Sequence, residues 1–368
     1  MVQASGLEGV VVADTELSEV DGERGRLVVR GHDIEQLAGR HDFEAVCALL
    51  WSGALPDAAA HAALRRELGE ARSRAWQRLG GLGDALAAAD AMDALRACLA
   101  HLRSADVPLP RLRFELTAAV AVSAAAWACR QRGAAPSCPD PALGHAADYL
   151  RMAGHSGSDA ARAAALDAYL VTAADHGMNA STFTARVVAS THSDPVSAVV
   201  AALCALKGPL HGGAPGPVLA MLDAIGQPQH AAGWIARETA AGHRIMGMGH
   251  RVYRVRDPRA AVLERAVERL RDAGVHSDRL ELARAVEAVA VASLKEHRPE
   301  RRLAANVEFY TAVVLDAVGL PQELFSATFA VARVAGWLAH IDEQLAHGRL
   351  IRPSSRYVGP MPEQAVAV

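Results

Sequence analysis

The stretch from Pro321 to Gly348, PQELFSATFAVARVAGWLAHIDEQLAHG, decides how the rest of the chain is read. Leu324, Thr328, Val331, Ala335 and Leu338 recur in alternating steps of four and three. Side chains three and four residues apart stack on one side of a helix, so these five predict a single apolar face. Pro321 suits the approach to a helix, and Gly348 is a natural stop. Just upstream, residues 307–318 predict a shorter helix ending at Gly319, with Pro321 beyond it. Further back, Leu166, Tyr169, Leu170, Ala173 and Ala174 give 159–174 an apolar face. Ser158 is a candidate N-cap there, and Asp159 falls in the first turn, where the helix dipole favours an acid. Alanine runs at 124–126 and 163–165 form helix readily and let helices approach closely. Strand signal is confined to 9–13 and 26–30, which flank the turn-rich 21–25 and predict a small hairpin. Pro/Gly-rich stretches at 106–110, 133–141 and after Pro353 predict loops. The fold class is all-α with a small N-terminal β-hairpin.

The chain has 368 residues, enough for two domains, and at 51% hydrophobic it can bury a core. Aromatics make up only 4%, so Ala, Leu and Val must fill most of the interior. The balance of 38 basic against 41 acidic residues argues against a nucleic-acid partner. No uninterrupted apolar run reaches the ~18 residues of a membrane span, so no membrane partner is expected. The start, MVQASGLEGV, lacks a basic segment followed by an apolar one, so no secretory signal is expected. The five cysteines are odd in number and include no CxxC, which predicts reduced thiols in a cytoplasmic protein.

Four segments carry residues suited to chemistry. In Lys207-Gly208-Pro209-Leu210-His211-Gly212-Gly213, small residues clear space around His211, so a ligand can approach the backbone closely. Gly247 to Arg259, GMGHRVYRVRDPR, sets His250 among Arg251, Arg254, Arg256 and Arg259. Guanidinium forks bind carboxylates and phosphates bidentately, so this cluster predicts a substrate with more than one negative charge. His176 follows the alanine-rich helix, and Asn179 or Ser181 can cap the next one. Glu308 opens a helix, where the dipole alone would explain it, but a carboxylate in an apolar setting can also act as a general base. The sequence contains no HExxH, no finger-type Cys/His pair and no EF-hand loop, so no metal is expected. GxSxG and the Walker loop are absent too, and Gly247-Met248-Gly249 lacks the third glycine of a dinucleotide fingerprint.

Taken together, these segments resemble the citrate synthase family in its short bacterial and archaeal form. The resemblance runs from GLEGVVVADTELSEVDGERGRLVVRGHDIEQLA through ADHGMNASTFTARVVAST. It is strongest in ALKGPLHGGAP, GMGHRVYRVRDPRA, NVEFYTAVVLDAVGLP and VARVAGWLAHIDEQ, then RLIRP and YVGP. It implies condensation of acetyl-CoA with oxaloacetate and hydrolysis of the thioester product, with no metal or redox cofactor, acyl-CoA being a substrate. By the same resemblance Glu308 takes the acyl α-proton, His211 stabilises the enol or enolate, and His250 polarises the oxaloacetate carbonyl. His176, Arg259 and Arg333 hold the 2-oxo acid, and Arg352 reaches into the partner's site of a homodimer. Arg254 matches a position that contacts CoA phosphate, and Arg256 is a weaker candidate for the same work. The implied architecture is a large helical domain of residues 1–213 and 321–368 and a small domain of 214–320, which closes over it.

The chain departs from the family pattern in three places. The best-known members carry aspartate where Glu308 stands, and one added methylene moves a carboxylate by about 1–1.5 Å. Ser354 follows the Arg352-Pro353 pair where many relatives have arginine, and Arg356 can substitute. Ala91-Met92-Asp93 replaces His-Pro-Met-Asp. The close alternative is a 2-methylcitrate synthase using propionyl-CoA, since one methylene in a pocket gives only ~1–3 kcal/mol of discrimination. More distant alternatives are a non-catalytic paralogue that binds CoA or a dicarboxylate, and a zinc hydrolase built on the three histidines.

Overall fold

The computed structural model describes residues 6–7, 9–107, 109–155, 159–212, 215–250, 252–275, 278–297 and 304–362. Helices dominate, and one of them organises the rest. After a short 3-10 turn at Gln322–Leu324, the helix Phe325–His347 runs through the centre of the molecule. The sequence predicts one apolar face here, but the structure buries this helix on nearly all sides from Phe325 to Ile341. The small residues between the predicted positions explain the difference. Ala327, Ala330, Ala332, Ala335, Gly336 and Ala339 let neighbours approach from several directions. Helices Leu109–Gln131, Ala180–Ala189, Pro195–Leu206, Ala160–Ala173 and Phe43–Ser52 pack around it.

Gly336 marks the closest of these approaches. A Cβ there would overlap the carbonyl oxygen of Ala174 and crowd the Asp175 side chain. The glycine therefore sets the depth at which the turn carrying Asp175 and His176 sits on the central helix.

The hairpin forms with a shifted first strand. Ser18–Asp21 pairs antiparallel with Arg26–Val29, and His32–Asp33 adds a third short strand. Residues 9–13 form no strand. They are too far upstream of the tight turn, because a short connection pairs the residues that flank it directly. The predicted loop at 106–110 is also shorter than expected: the helix Leu109–Gln131 takes Pro110 into its first turn, where a missing N–H costs nothing. The helix at Ala160–Ala173 starts from Asp159, whose side chain accepts the Arg162 N–H. The other candidate cap, Ser158, lies outside the described residues. Two helices, Pro110–Gln131 and Gln322–His347, are long and apolar enough to cross a membrane, but 89% and 94% of their apolar windows are buried within the protein. Their apolar faces are already covered by other helices.

Residues from Pro215 to Ala317 supply a further set of helices. Pro215–Ile225 and Arg279–His297 pack with Val307–Ala317, and Ala231–Ala240 packs against Arg279–His297. The helix Pro258–Asp272 lies between this set and the central body, touching Val307–Ala317 on one side and Ala160–Ala173 on the other. The hairpin tip meets the loop before this helix, where Arg254 N donates to Gly22 O at 2.8 Å.

Candidate active site

The central helix supplies the floor. Arg333 is 1% exposed and its Nε donates to the carbonyl of Ala173 at 2.6 Å. Its guanidinium lies 4.9 Å from the Phe329 ring centre. No carboxylate of the described residues pairs with it, and its terminal nitrogens have no hydrogen-bond partner among them. Burial pushes its pKa down to about 10, which still leaves it charged at neutral pH. A buried, unpaired guanidinium is costly, and it is a place made for an anion.

The loop before Pro258 supplies the opposite wall. Asp257 caps the helix Pro258–Asp272, accepting the Arg259 N–H at 3.0 Å. The same carboxylate takes Arg259 Nε at 3.0 Å and Nη2 at 2.7 Å, and the Val307 N–H at 3.2 Å. Burial works against the Arg259 charge, and Asp257 outweighs it, raising its pKa. His250 Nδ1 accepts backbone N–H groups from Val252 at 2.9 Å and Tyr253 at 3.0 Å. With Nδ1 taken as an acceptor, the ring's hydrogen must sit on Nε2. Burial, with Arg259 adding to it, pushes the His250 pKa down to about 4, so the ring is neutral. His250 Nε2 and Arg259 Nη2 lie 3.5 Å apart, and both are donors. They converge on a shared point, where a carbonyl or carboxylate oxygen would accept from both.

His176 closes this side. Its Nε2 meets Tyr253 Oη at 3.2 Å, and its ring stands 5.7 Å from that of His250. Burial and then Arg259 push its pKa well down, so it too is neutral.

His211 approaches from the turn after Pro195–Leu206. Its Nε2 lies 2.8 Å from Ser181 Oγ, which accepts Trp337 Nε1–H at 3.0 Å and donates to Asn179 Oδ1 at 2.8 Å. Burial, then Arg333, pushes the His211 pKa down to about 4. Ser181 has one proton to give. With that proton on Asn179, His211 Nε2–H donates to Ser181 Oγ; when the hydroxyl turns to His211 Nε2 instead, the imidazole hydrogen moves to Nδ1, and that nitrogen becomes a donor for a ligand oxygen. The orientation of the Ser181 hydroxyl is thus coupled to the histidine's tautomer. Of the two candidate caps in the sequence, Asn179 or Ser181, Asn179 is the cap, accepting Thr182 N–H, and Ser181 is left for the histidine.

Glu308 is the second residue of the helix Val307–Ala317, where its N–H donates to Asn306 Oδ1 at 3.0 Å. Asn306 Nδ2 also donates to Gly249 O at 2.8 Å, tying the Glu308 helix to the His250 loop. Gly247, at φ +73°, packs its bare Cα against Phe309, where a side chain would collide. Burial pushes the Glu308 pKa up to about 7, with Arg259 and Arg333 pulling against it. A carboxyl poised near neutrality beside buried cations suits a general base.

Tyr253, Asp257, Asn306, Ser181 and Trp337 are the supporting residues that sequence reasoning did not single out. Asp257 carried a visible signal, since an Asp-Pro pair before a helix is a cap with Pro at N1. Arg256 requires a correction. Its guanidinium is bound by Glu264 at 2.9 Å and by Glu287 at 2.8 and 2.9 Å, and it lies over Tyr310. It is a strut between helices with no free fork for a CoA phosphate. Arg254 is 58% exposed with only a 3.9 Å contact to Glu23, so it is the open arginine of the two. Arg352 is exposed in the coil after His347 and meets none of the site residues of its own chain. Arg251 lies outside the described residues. Among the described residues no three His, Cys, Asp or Glu side chains gather as a metal site.

Neutral imidazole donors, two buried arginines and a carboxyl poised near neutrality define an enzyme that activates carbonyl groups on an anionic substrate. The family model described as "Citrate synthase, C-terminal domain" matches residues 6–354. The citrate synthase of Haloferax volcanii is 39% identical over 372 residues, covering 96% of this chain and 95% of that one. The crystal structure of citrate synthase from Thermotoga maritima MSB8 superposes with a TM-score of 0.85 at 32% identity, covering 97% of this chain and 96% of that one. A ternary complex of the Thermoplasma acidophilum citrate synthase with carboxymethyl coenzyme A and oxaloacetate gives a TM-score of 0.85 at 28% identity, with 97% and 96% covered. The chain belongs to the citrate synthase family.

Proposed function

We propose that the protein condenses acetyl-CoA with oxaloacetate and hydrolyses the resulting thioester to citrate and CoA. The observation that carries this reading is Arg333, buried and charged with its terminal nitrogens unpaired, facing a second buried guanidinium and two neutral histidines. A small dianion with a carbonyl fits that set. Arg333, Arg259 and His176 bind the carboxylates. His250 Nε2–H polarises the ketone for attack. Glu308 takes the α-proton of the acyl thioester while His211, with the Ser181 hydroxyl turned to its Nε2, donates from Nδ1 to the thioester oxygen. The base and the donor must act together, because the enolate is too unstable to form in either's absence. Arg254 meets the CoA phosphates.

Residues 214–320 act as a small domain that closes over the site, since they bring His250, Arg259 and Glu308 to the residues of the central body. The active form is a homodimer, a reading supported by Arg352, which is exposed and makes no contact with the site residues of its own chain. The enzyme needs no metal or redox cofactor, as the acyl-CoA is consumed, and its free cysteines suit the cytoplasm.

Thiol release by the purified protein, with acetyl-CoA and propionyl-CoA run side by side, tests the reading. The expected result is release strictly dependent on oxaloacetate, with the higher kcat/KM for acetyl-CoA. A higher value for propionyl-CoA would make the protein a 2-methylcitrate synthase. Absence of release with either, from a folded protein that still binds oxaloacetate, would mean a binder rather than a catalyst.

Ser181→Ala checks the tautomer argument. It should lower kcat by about tenfold or more, the worth of one hydrogen bond to a critical group, without changing the oxaloacetate Kd. An unchanged kcat would free His211 from control by Ser181.

A further inference from the structure

Behind the oxo-acid site runs a buried polar chain that the reaction itself does not use. His340, on the central helix, is fully buried. Its Nδ1 lies 3.1 Å from Arg186 Nη1, and its Nε2 lies 3.1 Å from Asp175 Oδ1. Arginine only donates, so Nδ1 must accept, and the one imidazole hydrogen sits on Nε2 and points at Asp175. His340 thus presents Nδ1 as an acceptor and Nε2–H as a donor. Arg186 is held in turn by Glu343 Oε2 at 2.6 Å and Gln344 Oε1 at 2.9 Å. The other oxygen of Asp175 accepts from the Ser18 hydroxyl, and the Gly177 N–H reaches it at 3.3 Å. Ser18 Oγ also accepts the Gly177 N–H at 2.9 Å.

Asp175 is therefore a buried carboxylate supplied with three donors, none of them a guanidinium. Its backbone neighbours are His176 and Ala174, and Arg333 Nε is anchored one residue earlier, on Ala173 O. A carboxylate so close to Arg333 is its natural ion-pair partner, yet no such pair forms. We propose that His340 is a positioning residue that keeps Asp175 satisfied, so that the terminal nitrogens of Arg333 stay free for a substrate carboxylate.

Without the His340 N–H, Asp175 would be left a donor short in a dry site. A buried charge in that state takes the strongest donor within reach. Arg333 is that donor, and Asp175 would then compete with oxaloacetate for it. The same carboxylate orients the turn that carries His176, so both oxo-acid contacts would suffer together. Chemistry on the acyl-CoA side, at His211 and Glu308, lies outside this chain of bonds.

The inference rests on the oxo-acid reading given above, and calorimetric titration with oxaloacetate separates the two. His340→Leu should weaken oxaloacetate binding by about tenfold or more, the worth of one hydrogen bond to a charged group, with the acetyl-CoA KM little changed. His340→Gln should bind oxaloacetate like the wild type, because a glutamine amide can accept from Arg186 and donate to Asp175 as a neutral imidazole does. Ser18→Ala removes a donor from the other oxygen of Asp175 without touching the core, so it should weaken binding in the same direction even where the leucine variant fails to fold. Equal loss in the glutamine and leucine variants would mean that a cationic histidine is needed, which overturns the inference. Wild-type affinity in the leucine variant or in Ser18→Ala would overturn it as well. If the wild type itself fails to bind oxaloacetate, the oxo-acid reading falls and takes this inference with it.

Discussion

Glu308→Gln should reduce oxaloacetate-dependent thiol release by about 10²–10⁴-fold, the usual contribution of a positioned general base, or more where enolisation has no other route. The fold should survive. Burial already pushes the Glu308 pKa up to about 7, so near neutral pH a large share of folded molecules carry the protonated acid, for which glutamine is an isostere. Circular dichroism and thermal melting would check that, and near-normal turnover would remove Glu308 from the mechanism. Glu308→Asp is the more delicate variant. It withdraws the carboxylate by about 1–1.5 Å, and a misplacement of that order costs on the order of 100-fold in rate unless the backbone follows. A large loss would mean the site is built for glutamate.

The pH profile follows from the same residue. A base works only when deprotonated, so kcat/KM should fall about tenfold per pH unit below a midpoint near 7. The positive fields of Arg259 and Arg333 pull that pKa down in the free enzyme. Oxaloacetate neutralises both, so the acid limb of kcat should lie at higher pH than that of kcat/KM. The histidines do not confuse this limb, since burial holds His211 and His250 down at about 4. Glu308→Gln should abolish the limb along with the rate.

Parts of this arrangement are legible in the sequence because the signals are local. Periodicity in 324–338 marks the central helix, Gly319 and Gly348 mark helix ends, and the concentration of arginines in 250–259 marks anion chemistry. Other parts depend on distances along the chain that local patterns do not carry. The burial of Phe325 to Ile341 on nearly all sides comes from helices as far away as Phe43–Ser52. Arg256 and Arg259 look alike in sequence, three residues apart. One meets Glu264 and Glu287 while the other is aligned by Asp257, and the Glu287 contact exists only because Arg279–His297 packs alongside. Ser181 acquires its role because Trp337 and His211 come to it from positions far along the chain. The first strand is misplaced in the sequence because valines at 10–12 have strand propensity, whereas pairing is dictated by adjacency to the turn.

Arg333→Met should separate function from stability. In the free protein Arg333 is 1% exposed, without an ion-pair partner, and its pKa is pushed from 12.5 down to about 10. A base whose folded-state pKa lies below its unfolded value is penalised in its charged form, and the whole penalty is present at any pH below the folded value. At neutral pH the cost is roughly 3 kcal/mol on the conversion of about 1.4 kcal/mol per unit. Replacing the guanidinium by an unbranched apolar side chain removes that cost while keeping the contact with Phe329. It forfeits the hydrogen bond to Ala173 O, worth about 1 kcal/mol. The unliganded variant should therefore melt no lower than the wild type, and higher by a few degrees if the packing is kept. Oxaloacetate binding should weaken by about 10²-fold or more, as expected when one side of a desolvated charge pair is removed. Thermal melting with and without oxaloacetate reads both effects, since a ligand that binds only the folded state raises Tm in proportion to ln(1 + [L]/Kd). The wild type should shift upward with oxaloacetate and the variant should not, although its own baseline is at least as high. A variant that still shifts with oxaloacetate would take Arg333 out of the binding site. A baseline that collapses would mean that Arg333 stabilises the free fold, and that its charge is balanced there by something other than substrate.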